Sequence, residues 1–255
     1  MKFLDLPLDP CLIQAVTDLG FSDATPVQEQ AIPLMLQGKD LMVGARTGTG
    51  KTAAFMLPIL QRLITQDGDA PSGPRALVLV PTRELAQQVF ESSKAYARYT
   101  LLSTSIAYGG VEIGPQIKAL KKGADVLVAT PGRLLDLVYK NALDLRHLDY
   151  LVFDEADRML DMGFKDEISA ILKKLPKARQ TLLFSATLDD SIFRFSKRIL
   201  NKPSLIEVDQ RNTTAVDIEQ IVYNCDPERK LALVSHIIKN SDWQQVLIFS
   251  RTKQG

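Results

Sequence analysis

The chain has 255 residues, 45% hydrophobic and 24% charged, which is the ordinary balance of a soluble globular protein. Lysines and arginines total 31 against 30 acids, a net charge of +1, so any polyanion must be held by local geometry and not by bulk charge. No apolar run reaches the ~18 residues of a transmembrane helix, and Asp5 and Pro7 interrupt the start where a signal peptide needs an apolar stretch. The two cysteines, Cys11 and Cys225, match no ligand spacing, so a reduced, cytoplasmic protein is expected.

In chain order, Asp9 before Pro10 is an N-cap with proline at the first helical position, and Gly20 ends that helix. Thr25 and Pro26 open a second helix that Pro33 is expected to break. Short apolar runs then alternate with helix-length amphipathic stretches. The runs span 40–45, 76–80, 104–108, 125–129, 150–153 and 181–184, with a weaker one at 204–208. Most are continuously apolar, as in strands buried on both faces of a parallel sheet. The helical stretches are 82–98, 164–175 and 189–200, and a further helix comes after the first run, with Pro58 expected to kink it. This alternation predicts an α/β fold, an open and mostly parallel sheet of about seven strands with helices on both faces.

Residues 67–74 read as a surface loop and the polar stretch 209–215 as a linker. Beyond it, 216–223, a helix at 230–239 and a strand-like run at 245–250 read as the start of a second α/β unit. Its 40 residues, 216–255, are too few to close an independent core, so the chain is expected to be cut from a longer one. The basic residues Arg194, Lys197, Arg198 and Lys202 read as a solvated helix face, and His147, His236 and Trp243 as structural.

Ligands of open α/β sheets bind outside the carboxyl ends of the strands, so the residues just after each run are informative. After the first run come Ala45, Arg46, Thr47, Gly48, Thr49, Gly50, Lys51 and Thr52. Apart from Ala45 in place of the leading glycine, they fit a phosphate-binding loop. Gly48 and Gly50 let backbone N–H groups turn toward an anion, Lys51 brings a charge to the β/γ-phosphates, and Thr52 a hydroxyl for Mg²⁺. The fifth run ends in Asp154, Glu155, Ala156 and Asp157. A carboxylate there can hold Mg²⁺ through water, and Glu155 can orient or deprotonate an attacking water. An acidic cap on the next helix is the alternative.

Gly-Lys-Thr at 50–52 with Asp-Glu-Ala-Asp at 154–157 resembles the DEAD-box family of ATP-dependent RNA helicases. Other strand ends carry further motifs of that family in order: Pro81, Thr82 and Arg83 opening Pro-Thr-Arg-Glu-Leu-Ala; Gly109 and Gly110; Thr130, Pro131, Gly132 and Arg133; and Ser185, Ala186 and Thr187. Upstream, the stretch from Gly20 to Gln28 resembles the family's adenine-reading motif, with Phe3 as the aromatic that precedes it. The match covers residues 1–208 and implies an N-terminal RecA-like ATP-binding domain there, followed by the opening of a second RecA-like domain.

The resemblance implies roles. Gln28 would bond the adenine edge and Phe21 pack on its face, with Phe3 and residues 45–52 completing the ATP site; Thr25 and Gln28 also form a capping box, and both roles can hold. Lys51, Asp154 and Glu155 would be catalytic, and Thr52 and Asp154 would hold Mg²⁺. Asp157 would couple to Ser185 and Thr187, which could otherwise cap the next helix. Pro81, Thr82, Arg83, Gly109, Gly110, Thr130, Pro131, Gly132 and Arg133 would contact RNA phosphates and 2′-OH groups with little sequence preference, although Arg83 equally suits an ordinary solvated position. The implied activity is RNA-stimulated ATP hydrolysis coupled to duplex unwinding. Its arginine finger, worth ~10³–10⁵ in rate, lies in the family's second domain, so the 255-residue chain is expected to bind ATP weakly and not to unwind RNA. The phosphate loop alone also fits another RecA-like motor, such as a DNA helicase or translocase, and a non-catalytic nucleotide-gated RNA-binding fragment is a third reading.

Overall fold

The computed structural model describes residues 1–65, 73–208, 219 and 221–250. The predicted loop at 67–74 falls mostly outside the described residues, and the linker at 209–215 falls wholly outside them. Two units are present, residues 1–211 and 212–255.

In the first unit, seven short strands pair into one sheet. They are β1 (Leu41–Gly44), β2 (Ala76–Leu79), β3 (Thr104–Ala107), β4 (Val126–Ala129), β5 (Tyr150–Phe153), β6 (Gln180–Ser185) and β7 (Ser204–Glu207). Their order is β3-β4-β2-β5-β6-β1-β7, and every pairing is parallel. All strand carboxyl ends therefore emerge at one rim. The helices are α1 (Pro10–Asp18), α2 (Pro26–Leu36), α3 (Lys51–Thr65), α4 (Arg83–Tyr96), α5 (Ile113–Leu120), α6 (Pro131–Tyr139), α7 (Ala156–Asp161), α8 (Lys165–Leu172) and α9 (Asp190–Ile199).

The continuous apolar runs are explained by two cores, one on each face of the sheet. Ala76 and Val78 of β2 point into a core shared with α1 to α4, while Leu77 and Leu79 point into one shared with α6 to α9. The edge strand β7 is weaker because only Ile206 of its four residues is buried.

One helix expectation needs correction. Pro33 does not break α2, which runs on to Leu36; α3 continues through Pro58, which was expected inside that helix. An interior proline costs about 3 kcal/mol, but these helices bury Ala31, Ile32 and Met35 in one case and Leu57, Ile59 and Leu60 in the other. Each large apolar side chain contributes roughly 1.5–3 kcal/mol, enough to carry the helix past the lost bond. The short helices α5, α6 and α7 are additional to those expected. Asp9 and Asp189 act as N-caps, accepting from Cys11 N and Ile192 N, each at 2.9 Å. Because Asp189 caps α9, Ser185 and Thr187 are not needed for that task. Arg194, Lys197, Arg198 and Lys202 are exposed as expected.

The second unit contains a helix, α10 (Lys230–Lys239), where one was expected. The expected strand at 245–250 is not formed, and the described part of 216–223 has no regular structure. A strand needs a neighbour for its N–H and C=O groups, and no other strand exists among the described residues of this unit. None of its described residues is buried. His236 and Trp243 here, and His147 in the first unit, are not buried, so none is a core residue.

Candidate functional site

The strand order divides the expected site residues between two halves of one rim. The ends of β1, β5 and β6 carry residues 45–52, 154–157 and 185–187; the ends of β2, β3 and β4 carry 81–83, 109–110 and 130–133.

On the first half, β1 turns into α3 through a loop in which Gly48 and Gly50 have φ of +86° and +89°, values that a side chain opposes. Thr49 Oγ1 closes the loop onto Arg46 O at 2.8 Å. Arg46, Thr47 and Gly48 are exposed, and Thr52 is half-buried. Ala45 is buried and its N–H donates to Ser185 O at 3.0 Å, so this amide is occupied by the sheet rather than offered to an anion.

Gln28 is 3% exposed and ties the helical region to this loop. Its Oε1 accepts from Thr25 N at 2.9 Å, and its Nε2 donates to Gly50 O at 3.1 Å. The first bond belongs to the expected cap; the second was not legible in the sequence. A Cβ at position 50 would lie 2.4 Å from Gln28 Nε2, a second reason for glycine there. Phe21 is partly exposed, and its ring stacks on Phe3 with centroids 6.1 Å apart. Phe3 itself is 2% exposed and lies behind the Phe21 ring. A short antiparallel bridge between Lys2 and Asp23 fixes that stacking.

Lys51 begins α3 with its side chain only 7% exposed, and Nζ lies 3.9 Å from Asp154 Oδ1. The ammonium makes no hydrogen bond among the described residues. A buried donor of this kind is rarely left without an acceptor, and a bound phosphate would supply one. Asp154 comes directly after β5 and is buried; burial pushes its carboxyl up to about 6, while Lys51 pulls it down and Glu155 and Asp157 add to the rise. Its Oδ1 accepts from Glu155 N at 3.0 Å.

Glu155 has φ +55° and ψ +53°, the left-handed region. Strain of this sort concentrates where a side chain must be aimed. Its Oε2 lies 3.4 Å from Arg158 Nη1, a helical i,i+3 pair that spacing could have revealed. Asp157 Oδ2 accepts from Thr187 N at 3.0 Å and Thr187 Oγ1 at 3.1 Å, joining the ends of β5 and β6. The expected partnership of Asp157 with Ser185 is not formed: Ser185 Oγ is buried with no hydrogen-bond partner among the described residues.

On the other half, Thr82 caps α4, accepting from Leu85 N at 3.2 Å, and exposed Arg83 lies over the Tyr108 ring at 5.2 Å. Gly109 and Gly110 are exposed, whereas Pro81, Thr130 and Pro131 are buried and Gly132 half-buried. Arg133 points inward: it is 8% exposed, and Nη2 donates to Val111 O at 2.7 Å. Gln116, not anticipated from sequence, holds the Tyr108 backbone from α5.

A profile of DEAD/DEAH box helicases matches residues 25–195. The chain belongs to the DEAD/DEAH box helicase family. It is 42% identical over 253 residues to the ATP-dependent RNA helicase CshA of Listeria monocytogenes, covering 99% of this chain and 48% of that protein. The RNA helicase CrhR of Synechocystis is also 42% identical over 253 residues, covering 99% of this chain and 50% of the relative. The chain thus spans about half the length of the curated relatives it matches. A crystal structure of a DEAD box protein from Methanococcus jannaschii superposes with a TM-score of 0.77 at 35% identity, over 94% of this chain and 64% of that one. The DEAD box match confirms the RecA-like reading of the seven-stranded sheet. Among the described residues, no helix is long and apolar enough to cross a membrane.

Proposed function

We propose that this chain is the ATP-binding part of an ATP-dependent RNA helicase, holding Mg²⁺-ATP on the β1, β5 and β6 half of the rim and RNA backbone on the β2, β3 and β4 half. The observation that carries this reading is the buried Lys51–Asp154 pair, 3.9 Å apart at the glycine loop, with an ammonium that lacks a hydrogen-bond partner among the described residues.

Loop amides around Gly48 and Gly50, the start of α3 and Lys51 would receive the phosphates. Phe21, backed by Phe3, would pack on adenine, and Gln28 would read its edge while holding the loop. Thr52 and Asp154 would hold Mg²⁺, which supplies charge neutralisation between the phosphates. The buried Asp154 oxygens and the Thr52 hydroxyl are the hard oxygen donors such an ion prefers. Glu155 would take the proton of the attacking water; its backbone is left-handed, and Oε2 lies 3.4 Å from Arg158 Nη1 of the helix that follows. Asp157 and Thr187 would pass the state of the nucleotide site to β6, with the unpartnered Ser185 hydroxyl free to change partners.

We assign residues 1–208 to the N-terminal RecA-like domain, 209–215 to a linker and 216–255 to part of a second domain. The whole activity belongs to the whole protein, whose relatives extend to about twice the matched length. We place it in the cytoplasm. The test is direct. The 255-residue chain should bind Mg²⁺-ATP in preference to other nucleoside triphosphates, with little turnover. Joined to a second helicase domain, it should hydrolyse ATP faster with RNA than with DNA. Equal stimulation by both would favour a general motor, and failure to bind ATP would refute the proposal.

A further inference from the structure

We propose that Arg133 is a positioning residue and not a phosphate ligand: it is a strut that sets the Gly109–Gly110 loop for RNA backbone. The inference rests on the RNA-binding reading of this half of the rim. The residue is 8% exposed, and Nε and Nη1 of its guanidinium make no hydrogen bond among the described residues, so only Nη2 anchors it directly. It is committed inward, where Nη2 donates a charge-assisted bond to Val111 O at 2.7 Å and Nε lies 3.7 Å from Asp136 Oδ2, one turn along α6. A carbonyl left facing outward on this loop would repel a phosphate; Arg133 turns that of Val111 inward.

The other flank of the loop is held as firmly. Tyr108 N donates to Gln116 Oε1 at 3.2 Å, and Tyr108 O accepts from Gln116 Nε2 at 3.1 Å. Between the two clamps the glycines stand free. A Cβ at Gly109 or Gly110 would meet nothing within 4 Å. Gly110 needs glycine for its φ of +80°, but Gly109 carries no such requirement. Neither packing nor backbone strain explains glycine at 109, whereas close approach of a nucleic-acid backbone would.

The experiment measures binding of a short oligouridylate between about 50 and 200 mM salt, by fluorescence anisotropy, for the wild type, Arg133→Lys, Gln116→Ala and Arg83→Ala. Arg133→Lys keeps the charge but loses the directed fork, so it should weaken binding by about tenfold. The slope of log K against log salt should not change, because no phosphate contact is removed. Gln116→Ala should behave the same way. Arg83→Ala, the direct-contact control, should reduce the slope by about 0.7. Near-wild-type affinity of Arg133→Lys, or a slope reduced as in Arg83→Ala, would overturn the strut. Amide exchange without RNA separates this inference from the reading beneath it. Faster exchange at residues 109–112 in Arg133→Lys upholds the strut even if the wild type binds no RNA, in which event only the RNA-binding reading is lost. Unchanged exchange in both clamp variants overturns it.

Discussion

On the β1, β5 and β6 half of the rim the charges are buried: Lys51 and Asp154 are 7% and 3% exposed, and Asp154 carries a carboxyl raised to about 6. On the β2, β3 and β4 half the groups that face solvent are Arg83 and the glycines at 109 and 110, while the second arginine, Arg133, is turned inward. The contrast reflects the ligand that each half is proposed to hold. A small, highly charged metal–nucleotide gains most from charges in a low dielectric, where each interaction is strong and its geometry strict. A long RNA backbone is held by several weak, exposed contacts that leave its bases unread.

The largest expected effect lies on the buried half. Lys51→Ala should lower Mg²⁺-ATP affinity by about a hundredfold or more, because a charged hydrogen bond and a desolvated counter-charge vanish together. Oligouridylate binding should be almost unchanged. Calorimetry with both ligands would show whether the halves are separable, and equal losses would erase the distinction between them.

Protonation should act on the same half. Asp154 titrates near 6 in the ligand-free chain, above the ordinary 3.8, so the folded state binds this proton more tightly than the unfolded one. Its contribution to stability is therefore fully present below pH 3.8 and lost as pH rises through 6. Metal-dependent ATP affinity should move the other way, rising about tenfold from pH 5 to 7 as the carboxylate ionises. Asp154→Asn should remove this part of the pH profile and leave that of the nucleotide itself. A pH profile identical in the two proteins would show that Asp154 is already ionised at pH 5.

A smaller effect concerns strain. Glu155→Gly relieves a left-handed residue and should stabilise the fold by about 1 kcal/mol while abolishing turnover of the chain joined to a second helicase domain. Thermal unfolding beside a turnover assay checks both, and a loss of stability would show that Glu155 contributes packing instead. Smallest of all, Arg83→Ala should weaken RNA binding only a few-fold at low salt, with no effect on ATP.

Much of this division can be seen in the residues alone. Strands buried on both faces leave continuous apolar runs, and the glycines, lysine and carboxylates after them mark the rim. Helix continuity through Pro33 is hidden because burial in a core built from distant segments outweighs the local rule. The inward turn of Arg133 is hidden for a related reason: its partner, Val111, lies in a loop whose position depends on β3, β4 and α6 meeting. The stacking of Phe3 behind Phe21 is likewise hidden, because it joins segments either side of α1. The run at 245–250 has the composition of a strand, but pairing depends on neighbours, and composition does not contain them.

The central claim is that Lys51 and Asp154 serve one metal–nucleotide. Titrating ATP into Asp154→Asn with and without Mg²⁺ tests it most directly. The account predicts that the metal no longer strengthens binding, while the metal-free affinity stays near that of the wild type because Lys51 remains. An undiminished Mg²⁺ enhancement in Asp154→Asn would contradict it.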